Sequence, residues 1–145
     1  MVLIGSAGVG WYMAGMYGTR IRILRELSHS LQVLYGEIEY AATDITESMG
    51  LLGRRGEYLK KFFDDIADQL KQGNGQSLYA IWSQELEKLC HNREYRILLQ
   101  KEDVRFIKEI GKNLGNVDRM TQLHTLNLFQ KQLDGMIGQA EEKYQ

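Results

Sequence analysis

The chain has 145 residues, a formal net charge of −1, one cysteine and no proline. This charge balance argues against a nucleic-acid-binding domain, because such domains cluster Lys and Arg on one face. The lone Cys90 excludes an intramolecular disulfide framework and suits a reducing compartment. Beyond residue 20 the strong helix formers Leu, Glu, Lys, Gln, Ala and Met dominate, so the composition predicts an all-α protein.

The N-terminal segment, residues 1–19, contains no charged side chain. A helix of this length covers about 28 Å, close to the hydrocarbon thickness of a bilayer. Arg20, Arg22 and Arg25 follow directly, and the positive-inside rule places them in the cytoplasm. The sequence therefore predicts a transmembrane helix over residues 1–19 and a cytoplasmic helical bundle over residues 20–145. The alternatives are a cleavable signal peptide, which normally carries its positive charge before the apolar run, and a buried soluble segment.

The octet GSAGVGWY, residues 5–12, nearly matches the phosphate-binding pattern G-x-x-x-x-G-K-[ST]. A Trp and a Tyr occupy the positions of the Lys and the small hydroxyl, and no alternation of strands and helices follows. We interpret the small residues Ser6, Gly10 and Ala14 as a ladder that lets membrane helices approach closely. A small membrane-bound nucleotide-binding protein is the alternative that this octet leaves open.

Apolar spacing beyond the arginines predicts five or six amphipathic helices and no strand. The first runs over residues 20–49, with an apolar stripe at heptad-like spacing that includes Ala41 and Ala42. A break is expected near residues 40–43, because Asp44 and the Glu three residues later fit a capping box. Residues 50–56, rich in Gly and Arg, are expected to form a turn or a frayed end.

The later helices are delimited by capping and stop residues. Glycines after residue 72 tolerate positive φ and end one helix, Ser77 caps the next, and Gly115 fits a left-handed helix stop. Asp118 can cap the last helix, and residues 91–100 are ambiguous. The expected bounds are 57–72, 77–89, 101–114 and 118 to the C terminus.

Gly111 lies inside one of these predicted helices. A glycine there costs about 1 kcal/mol relative to alanine, so we expect another element to approach it closely.

No set of side chains has the spacing of a catalytic or metal-binding site. The histidines lie on separate segments without a second ligand at helical spacing, and the neighbouring carboxylates are typical of a solvated helix face. We therefore predict no catalytic residue, no cofactor, no metal and no small-molecule substrate, and a protein that is not an enzyme. A small basic cluster is the candidate contact for an acidic partner or lipid headgroups: Arg54, Arg55, Lys60 and Lys61.

The stretch KEDVRFIKEIGKNLGNVDRMTQ, residues 101–122, places a helix-interior glycine before an L-G-x-x-D-x-x-x-Q pattern. Together with LQVLYGEIEY at residues 31–40 and EEKYQ at the C terminus, it resembles the stage III sporulation protein AB family of endospore-forming bacteria. The residues that carry the resemblance most strongly are Gly111, Leu114, Gly115, Asp118 and Gln122.

This resemblance implies a membrane-anchored bundle similar to the cytoplasmic domain of type II secretion and type IV pilus inner-membrane platform proteins. Such a protein would be a non-enzymatic scaffold in the mother-cell membrane around the forespore, with its globular domain facing the cytoplasm. The implied partners are the membrane, a secretion-type ATPase, other stage III sporulation proteins and, through self-association, a second copy. A helical adaptor unrelated to sporulation is the other alternative.

Two features depart from the pattern of the family. Members usually carry Thr-Pro near the end of the first helix, where this chain has Thr43-Asp44. The difference affects where the first helix is expected to break and does not affect the resemblance to the family. Members also usually end in a second hydrophobic segment, which is not found before Gln145, so the sequence is expected to be either truncated or that of a shortened member. Cytoplasmic ends at both Arg20 and Gln145 would fit a domain between two spans.

Overall fold

The computed structural model describes residues 2–92, 99–115 and 118–144, with the backbone alone for residues 2–17 and 144. Within these residues the chain forms six α-helices and one π-helix, and no strand, which confirms the predicted all-α class. The elements are α1 (Val2–Gly36), a π-helix (Glu37–Ala41), α2 (Ile45–Arg55), α3 (Lys60–Gln72), α4 (Leu78–His91), α5 (Lys101–Leu114) and α6 (Arg119–Tyr144).

Helix α1 is a continuous helix of 35 residues that includes the uncharged N-terminal segment and the first core positions. Among the described residues, no helix combines the length and apolar character needed to cross a membrane. The transmembrane helix expected over residues 1–19 is therefore not supported, since glycine, serine and aromatic residues dilute its aliphatic content. Ser6, Gly10 and Ala14 lie on this helix, but their surroundings fall outside the described side chains.

The predicted break after the first core helix is confirmed. The π-helix Glu37–Ala41 ends α1, and Ala42 follows with a left-handed backbone at φ 51°. Asp44 then caps α2, since its Oδ1 accepts a hydrogen bond from the Thr46 N–H at 3.1 Å. Ala41 and Ala42 were expected on the buried stripe but are exposed, because the π-helix interrupts the helical phase before them.

The turn or frayed end expected over residues 50–56 is wrong up to residue 55, because α2 continues through both of its glycines to Arg55. Gly53 is buried against α3, and a Cβ at this position would overlap the Asp64 carboxylate and lie 3.1 Å from the Asp64 backbone nitrogen. The glycine therefore permits close packing of α2 on α3, and this tertiary contact outweighs its low helix propensity.

The other helix ends largely follow the sequence. Gly73 ends α3 with φ 64°, and the Ser77 hydroxyl accepts a hydrogen bond from the Ala80 N–H at 3.1 Å. Helix α5 has the predicted bounds, but Gly115 has φ −75°, so the left-handed stop is wrong. A side chain of α6 satisfies the last carbonyl of α5 instead: Gln122 Nε2 donates to it at 3.1 Å.

One apolar core lies between the helices, and α2 packs mainly on α3, α1 on α6 and α4 on α5. Its fully buried side chains come from one face of each helix, as the amphipathic spacing predicts. The largest are Trp82, Phe63, Ile23, Leu24, Leu27, Leu34, Met49, Leu59, Ile66, Ile107, Ile110 and Leu126.

Candidate functional site

Arg20 and Asp103 form a buried bidentate ion pair between α1 and α5. Arg20 Nε donates to Asp103 Oδ2 at 2.7 Å, and Arg20 Nη2 donates to Asp103 Oδ1 at 2.8 Å. Only 8% of the Arg20 side chain and 0% of the Asp103 side chain are exposed. Asp103 Oδ2 also accepts the backbone N–H of Gln100 at 2.9 Å, as part of the capping box of α5. One carboxylate thus joins the start of α5 to the point where α1 enters the bundle.

The sequence suggested that the three N-terminal arginines share one role, as the cytoplasmic flank of a membrane helix. The structure gives them different surroundings. Arg20 is buried in the bundle, Arg22 is exposed, and Arg25 forms an ion pair with Glu141 of α6. Two of these three positive charges therefore connect α1 to other helices. The sequence carried no local signal for the Arg20–Asp103 pair, because its partners are 83 residues apart.

Glu26 of α1 provides a second connection that the sequence did not indicate. Its Oε2 accepts the backbone N–H of Leu59 at 3.0 Å, and its Oε1 accepts the backbone N–H of Glu57. Leu59 is the residue before the first turn of α3, where N–H groups lack partners within the helix. A carboxylate from α1 thus caps α3 at the end where the helix dipole favours negative charge.

The close approach expected at Gly111 is confirmed. A Cβ there would overlap the indole ring of Trp82 and lie 2.6 Å from its Nε1. The same indole N–H donates to the Ile107 carbonyl oxygen at 2.8 Å, and Phe62 packs edge-on against the ring with centroids 5.0 Å apart. The glycine therefore allows α4 and α5 to pack around a buried tryptophan.

The rest of the predicted motif forms the joint between α5 and α6. Leu114 is buried in the core, Gly115 is exposed, and Gln122 binds the Leu114 carbonyl oxygen. The Thr121 hydroxyl donates to Asp118 and lowers the pKa of that carboxyl, and N–H groups of the first turn of α6 lower it further. Packing and capping account for the observed contacts of these residues.

The basic cluster lies where α2 is connected to α3. Arg54 and Arg55 end α2, Lys60 and Lys61 begin α3, and all four are exposed. Lys60 Nζ also lies 3.2 Å from the Gly53 carbonyl oxygen and 3.4 Å from the carboxylate of the residue one turn later. The structure thus brings the four cations to one corner, and Lys60 also stabilises that corner.

A groove of about 740 Å³ runs between α3 and α4 and contains both carboxylates and lysines. Burial raises the pKa of Asp65, and the nearby carboxylate of Glu85 raises it further. Glu85 is itself buried, and it accepts hydrogen bonds from Lys88 at 3.1 Å and from Gln69. Within the described ranges no three His, Cys, Asp or Glu side chains are grouped so that they could hold a metal ion.

The fold and these contacts define a helical bundle in which the distinctive polar residues connect helices to one another. The family model of stage III sporulation protein AB matches residues 1–145, and the chain belongs to this family. It is 28% identical over 142 residues to stage III sporulation protein AB of Bacillus subtilis (strain 168), which covers 97% of this chain and 80% of that protein. A solved structure of stage III sporulation protein AB superposes with a TM-score of 0.77 at 26% identity, covering 89% of this chain and 98% of the other. These findings support a role in sporulation and confirm the resemblance inferred from residues 101–122.

Proposed function

We propose that this chain is a non-enzymatic scaffold of a secretion-like complex that connects mother cell and forespore during sporulation. The observation that carries this proposal is the buried ion pair at Arg20, which joins α1 to α5. Helix α1 continues unbroken from the uncharged segment into the bundle, and the buried pair with Asp103 fixes it to α5. Such a junction holds the bundle in a set orientation relative to whatever the uncharged segment contacts.

The site of action that we propose is the mother-cell membrane around the forespore, with the bundle facing the cytoplasm. Residues 2–19 would pack against helices of other subunits through the ladder of Ser6, Gly10 and Ala14, since small residues let helix backbones approach closely. The exposed basic corner at Arg54 and its neighbours is a further candidate contact, with lipid headgroups or an acidic partner.

A secretion-type ATPase and other stage III sporulation proteins are the partners that we propose for the bundle, in the manner of a secretion platform protein. A platform subunit has to present surfaces that its own core does not need, and this bundle exposes the apolar side chains of Tyr40, Met120 and Leu128 as well as charged ones. Self-association belongs to the same proposal, because such platforms are built from repeated contacts.

Nucleotide binding at residues 5–12 is disfavoured by the local structure. A phosphate-binding loop offers free backbone N–H groups between a strand and a helix. Here the octet lies inside α1, where N–H groups beyond the first turn are bonded within the helix. The described residues form no strand that could precede such a loop.

The experiment for the scaffold proposal is a deletion strain complemented with the tagged full chain. We expect heat-resistant spores to be lost on deletion and restored by the chain, and the ATPase to co-purify with the chain from membranes. Normal spore numbers after deletion would refute a required role in sporulation. Recovery of the intact chain in the soluble fraction, without the ATPase, would refute the proposed membrane platform.

A further inference from the structure

The end of the bundle at which α1 finishes exposes apolar side chains that the core does not use. Tyr40 is 82% exposed and Met120 is 73% exposed, the highest values among the large apolar residues that the structure describes. Their segments are in contact, because Arg119, the neighbour of Met120, donates to the carbonyl oxygen of Ile38 at 3.1 Å and also to that of the next residue.

A groove of about 590 Å³ lies near both segments, because its lining includes Ile45, the first residue of α2, and Leu114, whose carbonyl oxygen is bound by Gln122 in the first turn of α6. It is formed by the first residues of α2 and α4 and the last turn of α5, which is joined to the start of α6 through Gln122. Ile45, Leu78 and Leu114 give it an apolar lining, and Lys112 lies beside them. We call Tyr40, Met120 and this groove the distal surface.

The backbone that carries Tyr40 is held in an uncommon conformation. The π-helix ends at Ala41, and the next residue, Ala42, has φ 51°, a conformation that costs a non-glycine residue about 1 kcal/mol. Hydrogen bonds to Glu37 fix the turn: the Thr43 N–H donates to its carbonyl oxygen at 3.1 Å, and the Thr43 hydroxyl donates to its carboxylate. This arrangement presents an aromatic side chain to solvent, and such conformations concentrate at functional sites.

The charge around the distal surface restricts what can bind there. The segments that form it carry more carboxylates than the two cations Lys112 and Arg119, so these segments have a net negative charge. A negative field repels the phosphates of nucleic acids and of anionic lipids, and it attracts Lys and Arg. The carboxylates are Glu37, Glu39, Asp44, Glu47 and Asp118.

The surface is also placed away from the uncharged segment. Tyr40 is twenty residues beyond Arg20, roughly 30 Å along a helix axis. A cytoplasmic subunit can therefore reach the distal surface without contacting whatever residues 2–19 pack against.

We propose that the distal surface docks a segment of a partner protein whose apolar side chains are flanked by Lys and Arg. Tyr40 and Met120 are the anchors, since exposed aromatic residues and Met are enriched in interface cores. The groove receives an apolar side chain of the partner, and the carboxylates select its basic flanks. This inference rests on the proposed scaffold function and names the face by which the scaffold would dock a subunit.

The test is photo-crosslinking of the full chain in sporulating cells. The photoreactive residue p-benzoylphenylalanine is placed at position 40, and at Leu128 as the matched control, because that residue is 51% exposed on α6. We expect position 40 to crosslink to one protein segment, identified by mass spectrometry, that has apolar residues between Lys and Arg. Crosslinking no stronger than at position 128, or to lipid, to a second copy or to an acid-flanked segment, would overturn the proposal.

Two further substitutions, combined with the crosslinker at position 40, separate docking from folding. Met120→Ala is expected to reduce the crosslink by about tenfold, as for an interface anchor, and Glu47→Lys to reduce it several-fold at low salt. Met120→Ala should leave the melting temperature unchanged, and Leu128→Ala should leave the crosslink unchanged. Glu47→Lys should lower the melting temperature only slightly, because it removes an acidic side chain from the first turn of α2. If both variants crosslink like the parent chain, the docking surface is wrong. The scaffold proposal then still depends on the spore counts of the deletion strain.

Discussion

The carboxylate of Asp103 accepts two hydrogen bonds from the buried guanidinium of Arg20, at 2.7 and 2.8 Å, and a third from the N-terminus of α5. A buried carboxylate is tolerated when its oxygens are paired and hydrogen-bonded, and these three bonds meet that requirement. The pair thereby determines how α1 leaves the bundle toward the uncharged segment.

Asp103→Leu should destabilise the protein by about 3–5 kcal/mol, because it leaves the buried charge of Arg20 without its carboxylate. The double variant Arg20→Met with Asp103→Leu should lose only about 1 kcal/mol, since an apolar pair removes the charge and only the capping bond of α5 is lost. Urea unfolding measures both. Equal losses in the two variants would show that the ion pair is not what stabilises this junction.

Gly111→Ala should cost about 1–3 kcal/mol and shift the Trp82 fluorescence, because the new methyl group overlaps the indole ring. Gly138→Ala is the matched control: it is also a helix-interior glycine, with nothing within 4 Å of its added Cβ. This control should gain about 0.5–1 kcal/mol from helix propensity. If thermal unfolding gives both variants the same gain, the close approach at Gly111 has no energetic consequence.

Glu26→Ala should destabilise the protein by about 1 kcal/mol through loss of the cap on α3. The loss should be local, so the amide of Leu59 should exchange with solvent faster while amides of α6 keep their protection. Hydrogen exchange with residue resolution distinguishes the two regions. Unchanged protection at Leu59 would contradict the cross-helix cap.

Asp65 and Asp118 should affect stability with opposite dependence on pH. The pKa of Asp65 is raised by burial, so its ionised form disfavours folding, and Asp65→Asn should raise the melting temperature at neutral pH but not at low pH. The pKa of Asp118 is lowered by the Thr121 hydroxyl, so its contribution is present above its usual pKa and is lost as pH falls through the lowered value. Asp118→Asn should therefore lower the melting temperature at neutral pH alone. The melting temperatures of both variants are measured between about pH 2 and 7. If both substitutions shift the melting temperature in the same direction at neutral pH, this assignment is contradicted.

Much of the fold was predictable because its signals are local. The caps at Asp44 and Ser77 bind N–H groups within three residues, and α5 has the bounds that its spacing predicts. The close approach at Gly111 was also predictable. A glycine among strong helix formers lowers the stability of the helix, so a close packing contact is the expected reason for its presence. Family membership followed from the pattern around that glycine and is confirmed.

The contacts that were missed depend on residues distant in sequence. Glu26 caps a helix that begins more than thirty residues later, and Gly53 is helical because α3 packs against it. The carbonyl at the end of α5 is satisfied from α6, which removed the need for a left-handed stop at Gly115. The exposed Tyr40 depends on a π-helix, which hydrophobic spacing does not signal.

The most direct test of the scaffold account is the count of heat-resistant spores in strains that carry the chain, the Asp103→Leu variant or the apolar double variant. Asp103→Leu should reduce spores about as strongly as deletion does, because the junction between α1 and the bundle is lost. The double variant should restore them, since it rebuilds a packed junction without charge. Normal spore numbers with an Asp103→Leu chain that is destabilised in the purified state would contradict the account.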